Sequence, residues 1–331
     1  MSYPLELLQA ILQTALSPVT AAFVLAAIGL NIHFGFTGLM NMGQAGFMLI
    51  GGYGFVISVM AGIGFFPAIL ISIIASMLFA LLLGIPTLKL RGDYLAIVTI
   101  GAAEIVRMVA RLANLSTITG GPSGIQSPKF RVEFNALSPL PEGRTDLFGL
   151  GILDYNNTGV DDWWSRIVAW SLVALFLLVT WLLMRSPWGR VLKGIREDED
   201  AVRSLGKSTF SYKMQALMIG GVMGGFGGII MAMPAAINPD GMGRATTFNL
   251  WMIMLLGGAA TIFGPLLGSI LFFVVRLVIS SLATEYVPST ILSAQQTEIV
   301  SWILIGLMLM LLVIFRPQGI LGNKKELSFN V

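Results

Sequence analysis

Ionisable side chains crowd one stretch of this sequence, from Gly189 to Gly206, where Arg190, Lys193, Arg196, Glu197, Asp198, Glu199, Asp200 and Arg203 follow in close order. Ionised groups in hydrocarbon cost several kcal/mol each, so this run lies in water. Val191, Ile195, Val202 and Leu205 recur within it at helical spacings, which gives an apolar stripe beside basic and acidic faces. The chemistry this suits is docking into a groove of a soluble partner. Its mixed charge argues against simple lipid binding, which favours a basic polar face. Gly189, Arg190, Arg196, Glu197, Asp198, Ala201 and Gly206 are the candidate docking residues. Gly206-Lys207-Ser208 looks like the end of a phosphate-binding loop. That pattern needs a Gly where Ala201 stands and a strand before it, and an acidic amphipathic segment precedes it instead. Nucleotide chemistry therefore belongs to another chain. The single His33 lies among apolar residues and reads as packed or hydrogen-bonded, and there is no Cys, so no nucleophilic triad, thiolate site or His-rich metal site is expected. The expectation is of a protein that is not an enzyme and holds no cofactor or metal.

Two further clusters carry polar groups within apolar sequence. In the first, Gly35 to Phe47, Thr37, Gly38, Asn41, Gly43, Gln44 and Phe47 interrupt an apolar run; in the second, Gly257, Gly258, Thr261 and Gly264 precede Pro265. Leu250–Ile262 is about 20 Å as helix, short of the roughly 30 Å hydrocarbon core, and Gly264-Pro265 breaks a helix because Pro lacks the N–H and clashes with the preceding turn. Irregular backbone at membrane depth needs protein or a wet cavity around it. Gly-interrupted segments in both halves point to a transporter core with internal repeats and half-helices, and these residues are the candidate translocation pathway. The alternative for each is that Gly permits close helix packing. Packing is the reading for Gly220, Gly221, Gly224, Gly225, Gly227 and Gly228, which include small-xxx-small pairs. Glu104 and Arg107 lie three apart on one helix face and are expected to pair. They either line a polar path or fix helix packing, while Arg111 reaches toward the interface.

The elements that position these residues are membrane spans. Of 331 residues 56% are hydrophobic and 11% charged, against about 25% charged in a soluble domain. The clearest apolar runs are Phe66–Leu88, Ile167–Met184, Met214–Met233, Leu266–Leu282 and Ile299–Phe315, with Tyr94–Leu112 between the first two. The fold class is therefore all-α: a polytopic helical bundle with broken or re-entrant half-helices, one transmembrane domain over residues 1–331. No cleaved signal peptide is evident. The net charge of +3 is topological, with no sign of nucleic-acid binding. Lys89 and Arg91, the seven bases between Arg185 and Lys213, and Arg316, Lys324 and Lys325 mark three cytoplasmic segments by the positive-inside rule. The polar interval from about 115 to 164, where acids outnumber bases, reads as an extracytoplasmic loop closed by Trp163 and Trp164. Parity then requires the chain to turn back after Leu250.

Four blocks carry a family resemblance: Gly35–Phe47; Leu90–Thr99 continuing through Glu104–Arg107 to Thr119–Ile125; Gly189–Gly206; and Leu255–Gly268. The chain resembles the permease subunits of branched-chain amino acid ABC importers, the LivM type in particular, from about residue 30 to the basic tail. It departs from the pattern in a longer outer loop after Ile125 and in Ala260, where Gly is expected. The resemblance implies a prokaryotic plasma-membrane permease with a cytoplasmic C-terminus. Its implied partners are a second permease, identical or related, two cytoplasmic ATPase subunits and an extracytoplasmic solute-binding protein, with lipid around it. The Gly189–Gly206 segment, about 185–210 with its flanks, would be the coupling helix. The sequence alone also admits an ion-coupled transporter using Glu104, or a passive channel.

Overall fold

The computed structural model describes residues 3–89, 92–126, 129–140, 144–146, 154–156, 162–234, 236–286, 294–316 and 318–322, and Arg91, Lys324 and Lys325 lie outside them. Helix α1 spans Tyr3–Ala15 and α2 Pro18–Leu30. Ser17 caps α2 by accepting from the Thr20 N–H at 3.1 Å, and Pro18 occupies its first turn, where a missing N–H costs nothing. Without a gap α2 widens into a π-helical turn, Asn31–Phe36, before a non-helical loop over 37–43. Then come α3 Gln44–Met60, α4 Phe65–Thr87 and α5 Gly92–Arg111. The outer interval holds α6 Ser116–Thr119, β1 Ile125–Gln126, α7 Val132–Ala136, β2 Arg144–Asp146 and β3 Asp154–Asn156. The long α8 follows over Trp163–Arg185, then α9 Pro187–Glu197, α10 Glu199–Ser204 and α11 Thr209–Ala232. β4 Ala236–Ile237, α12 Arg244–Gly257, α13 Gly264–Tyr286 and α14 Ala294–Phe315 complete the order.

The architecture is that of a polytopic helical membrane protein. Five helical stretches among the described residues are long and apolar enough to cross a bilayer: Pro18–Phe36, Phe65–Thr87, Trp163–Arg185, Thr209–Ala232 and Gly264–Glu285. Their burial separates them. The α2 stretch is almost wholly enclosed and α11 largely so, while α4, α8 and α13 turn most of their surface outward. Exposed Leu70, Ile74, Leu78 and Leu82 on α4, and Leu175, Leu178 and Leu182 on α8, are the apolar surface a bilayer solvates.

Helix α11 is the hub, and its glycines explain why. A Cβ at Gly220 would meet the Gly29 carbonyl and His33, one at Gly221 the Phe47 ring, and one at Gly227 Ala22 and Ala26 of α2. Gly225 and Gly228 do the same against Gly51 and Met48 of α3. Helices in lipid lack a hydrophobic force between them and associate by such close backbone approach.

Both ends of the bundle are tied across the sequence. At one end β1 pairs with β4, Ile125 opposite Ile237, which joins the two loops read as outer ones. There Arg131 bonds the Asp162 carboxylate at 2.6 Å and the Met233 carbonyl at 3.2 Å, and the Trp164 indole donates to the Phe134 carbonyl at 3.0 Å. At the opposite end Lys89 sits over the Phe210 ring, α9 touches the π-helical turn through Arg196, and residues 319–322 reach the end of α12. The described parts of the three basic segments thus gather at one end.

Candidate functional site

The charged segment is two helices and not one. Asp198 breaks it, with extended backbone at φ −155° and ψ 103°, and its carboxylate accepts from the Asp200 and Ala201 N–H groups at 3.0 Å. The acidic residues Glu199 and Asp200 then occupy the first turn of α10 and Arg203 the last, matching the helix dipole. The apolar stripe expected to enter a partner's groove is mostly spent on the protein itself: Ile195 and Val202 are buried in its own core, Val191 packs half-buried against it, and Leu205 alone, 80% exposed, faces out. Arg190, Glu197, Asp198, Ala201 and Gly206 lie on the exposed side. Gly189 does not. It packs against the Met184 backbone, where a side chain has no room. Gly206, at φ +75°, ends α10, so no strand precedes Lys207 and Ser208.

Arg196, expected to face a partner, turns inward. Its Nη1 donates to the Gly35 carbonyl at 2.7 Å, while Nε and Nη2 grip Glu197 at 3.1 and 2.6 Å. Its stem lies against Gly38, whose φ of +77° favours glycine. The surface segment is therefore hydrogen-bonded to the π-helical turn. A cavity of about 200 Å³ opens beside this joint, bordered by Thr37, Gly38, Arg196, Glu199 and Lys213 among others. Lys213 pairs with Glu199 across it. Burial raises the Glu199 carboxyl's pKa, but the hydrogen bonds from Lys213 and Thr209 and the charges of Lys213 and Arg203 outweigh it and hold the group below its ordinary value.

The π-turn leads to the second break. Asn31 projects from it and bridges the chain after α12: its Oδ1 accepts from the Ala260 N–H at 2.9 Å, and its Nδ2 donates to the Thr261 carbonyl at 2.8 Å. Helix α12 has 14 residues, about 21 Å, and the chain then reverses, because Gly257 packs on Gly264 while Gly268 packs on Ile253. The expected break is present, with Gly258 at φ +114°. Asn31 satisfies two of the freed backbone groups, the Ala260 N–H and the Thr261 carbonyl. The open carbonyls at the end of α12 are met by the tail: the Ile320 N–H donates to Leu256 O at 3.1 Å and the Leu321 N–H to Gly257 O at 3.0 Å.

The polar residues of the first cluster are not gathered round one opening. Thr37 borders the cavity, and its hydroxyl donates to the Ile32 carbonyl at 2.8 Å. Asn41 and Gln44 are fully buried and fully used. Asn41 Nδ2 donates to Gln44 Oε1 at 2.9 Å and to His33 Nδ1 at 3.0 Å, and its Oδ1 accepts from the Gly43 N–H at 2.8 Å. Gln44 Nε2 donates to the Ala26 and Gly220 carbonyls at 3.1 and 3.2 Å. His33 Nε2 meets the Leu217 carbonyl at 3.1 Å, so that nitrogen carries the proton and Nδ1 accepts. Such a satisfied network fixes the packing of α2, α3 and α11. Gly43 lies against Thr99 and Phe47 fills the space under the α11 glycines. Thr261 sits apart, at the second break, its hydroxyl donating to the Gly258 carbonyl at 2.7 Å.

Glu104 and Arg107 pair as expected, at 3.1 and 2.5 Å. Arg107 also bonds Asp240 at 2.5 Å, Arg111 approaches Asp240 at 3.4 Å and Arg244 approaches Glu104 at 3.8 Å. The pair ties α5 to the start of α12, and Glu104 also lines a small cavity of about 10 Å³ beside Met42 and Thr247.

Over this frame, the sequence profile described as branched-chain amino acid transport system / permease component matches residues 14–313. The chain belongs to this permease family. The permease is 36% identical over 318 residues to the high-affinity branched-chain amino acid transport system permease protein LivM of Salmonella typhimurium (strain LT2), across 92% of this chain and 69% of that one. Identity and coverage are the same for LivM of Escherichia coli (strain K12). A probable LivM of Methanocaldococcus jannaschii is 23% identical, across 91% of each chain. The one residue where the permease leaves the expected fourth block is also its conformational exception: Ala260, at φ +62°, is the only non-glycine with positive φ among the described residues.

Proposed function

We propose that this permease is the membrane-spanning subunit of an ATP-driven importer for branched-chain or other neutral amino acids. It forms half of the pathway with a second, identical or related permease in a prokaryotic plasma membrane, with the C-terminus in the cytoplasm. Two cytoplasmic ATPase subunits dock on the outward side of α9 and α10, and an extracytoplasmic binding protein delivers substrate to the end formed by β1, β4 and α7. The observation that carries this reading is the Arg196–Gly35 hydrogen bond at 2.7 Å. It links an exposed, mixed-charge segment to an irregular turn, which in turn holds the break after α12 through Asn31. Movement of the docked ATPases then has a mechanical route to Thr37, Gly38, Gly257, Gly258, Thr261 and Gly264, the proposed moving parts of the path. Asn41, Gly43, Gln44 and Phe47 serve as the fixed frame against which they move. An ion-coupled mechanism through Glu104 is less well supported, because both of its oxygens already serve Arg107.

Glu197→Lys tests the docking face. It places a fourth basic side chain on α9, after Arg190, Lys193 and Arg196, and removes the carboxylate that Arg196 holds. Membrane insertion is expected to persist while uptake and stimulation of ATP hydrolysis are lost, with Glu197→Gln retaining much of both. Full uptake and full stimulation in Glu197→Lys would show the assignment to be wrong.

A further inference from the structure

The cavity at the Arg196 joint has the chemistry of a ligand site. Its volume, about 200 Å³, falls below the roughly 300–1,000 Å³ of pockets for drug-sized molecules and is many times the about 30 Å³ that one water occupies. Leu39, Leu88 and Leu95 give its lining an apolar part, and Arg196, Glu199 and Lys213 a charged one. The charged groups keep bonding capacity. Arg196 uses three N–H groups on Gly35 and Glu197, which leaves about two of the five a guanidinium carries. Lys213 spends one on Glu199 and has about two left. Glu199 binds Lys213 through one oxygen and Arg203 through the other at 3.2 Å and also accepts from Thr209, which leaves about one of the four lone pairs a carboxylate offers. Two cations and one carboxylate beside aliphatic side chains match a small molecule with a carboxylate, an ammonium group and an aliphatic side chain. A plain anion would meet Glu199, and a plain cation would meet Arg196 and Lys213.

We infer that this cavity, at the basic end of the permease, binds the zwitterion of a small aliphatic amino acid: carboxylate on Lys213 and Arg196, ammonium on Glu199, side chain against Leu39, Leu88 and Leu95. The ligand class rests on the importer reading; the site itself rests on the cavity. Because α9, α10, α11 and the end of α4 all border it, an amino acid lodged there clasps the surface segment to the core on the side to which transported substrate is released.

The native chain has no Cys, so Leu88→Cys places a single reporter thiol on the cavity wall. The assembled complex, with its ATPases and second permease but without binding protein, is labelled with a water-soluble maleimide. About 10 mM leucine is expected to slow labelling about tenfold, with half-protection near ~1 mM, a weak site suited to release. Isocaproate, which lacks the ammonium group, and leucinamide, which lacks the carboxylate, are expected not to protect. Adding Glu199→Gln and Lys213→Met together, so that no lone buried charge remains, is expected to abolish protection by leucine. The two analogues need no further substitution, so they decide the matter even if the double variant does not assemble. No protection by leucine, equal protection by either analogue, or protection that survives in the double variant each overturns the proposal. ATP-driven leucine uptake by a complex that shows no protection overturns the cavity site alone. Protection in a complex that never transports an amino acid supports the site and overturns the importer reading.

Discussion

Among the described residues Asn31 supplies the side-chain hydrogen bonds that join the π-helical turn to the break after α12, and the cost of replacing it follows from what is left behind. Asn31 is buried and makes two hydrogen bonds, to the Ala260 N–H and the Thr261 carbonyl. In Asn31→Leu the shape is kept but both backbone groups lose their partner. An orphaned buried donor or acceptor costs about 1–3 kcal/mol, so the pair amounts to about 2–6 kcal/mol. Asn31→Asp keeps the acceptor for Ala260, loses the donor to Thr261 and adds a buried charge, so it is expected to be at least as harmful. The converse change lies next door. Ala260 stands at φ +62°, a conformation that costs an L-residue about 1–2 kcal/mol, so Ala260→Gly is expected to stabilise the protein by about 1 kcal/mol after the extra chain entropy of glycine. The assay is thermal unfolding of the purified permease in detergent, followed by tryptophan fluorescence. Asn31→Leu should lower the midpoint by several degrees, Ala260→Gly should raise it slightly, and the double variant should fall between. An Asn31→Leu protein as stable as its parent, or an Ala260→Gly protein less stable than its parent, would refute the reasoning about this joint.

Two other outcomes are expected. Single cysteines at position 37 and at position 41 or 44 should differ: a membrane-impermeant thiol reagent should reach Thr37→Cys from the basic side, because that position borders the cavity, and should leave the other two unlabelled in this conformation, because both lie sealed in the His33 network. Glu199 should also confer a pH response. Its carboxyl is held below its ordinary value, so the stability it gives the α10–α11 contact is complete above the unfolded carboxylate range and is lost as pH falls through the lower folded value. Maleimide reactivity of a cysteine at Val202, taken relative to that of a fully exposed thiol at the same pH because only the thiolate reacts, should therefore rise on acidification in the parent and be constant in Glu199→Gln; a parent response no different from that of Glu199→Gln would contradict it.

What the sequence made legible was what composition and breakers control. The apolar runs became helices within a few residues of their expected bounds, the Gly264-Pro265 signal marked a reversal, and the α11 glycines marked the tightest packing. The Glu104–Arg107 spacing yielded its ion pair, though its outer partners Asp240 and Arg244 could not be read from a local face. The break at Asp198 left a signal that went unused: an Asp cap, two acidic residues in the next turn and Arg203 at its end are a helix start. Asn31 left none. It sits in an apolar run with no Gly or Pro beside it, and its partners are 229 and 230 residues away. The docking of residues 320 and 321 on α12 is made by main-chain groups, which no side-chain pattern records. Exposure also misled: an apolar stripe in a charged segment looks the same whether it meets a partner or its own core, and Ile195 and Val202 meet their own core.

The most direct measurement is leucine uptake into liposomes that contain the permease, its partner permease and the ATPase subunits, with the binding protein outside, ATP inside and no ion gradient. Accumulation is expected to require ATP, the ATPases and the binding protein together. Accumulation by the permease alone, driven by a proton or sodium gradient and abolished by Glu104→Gln, would contradict it.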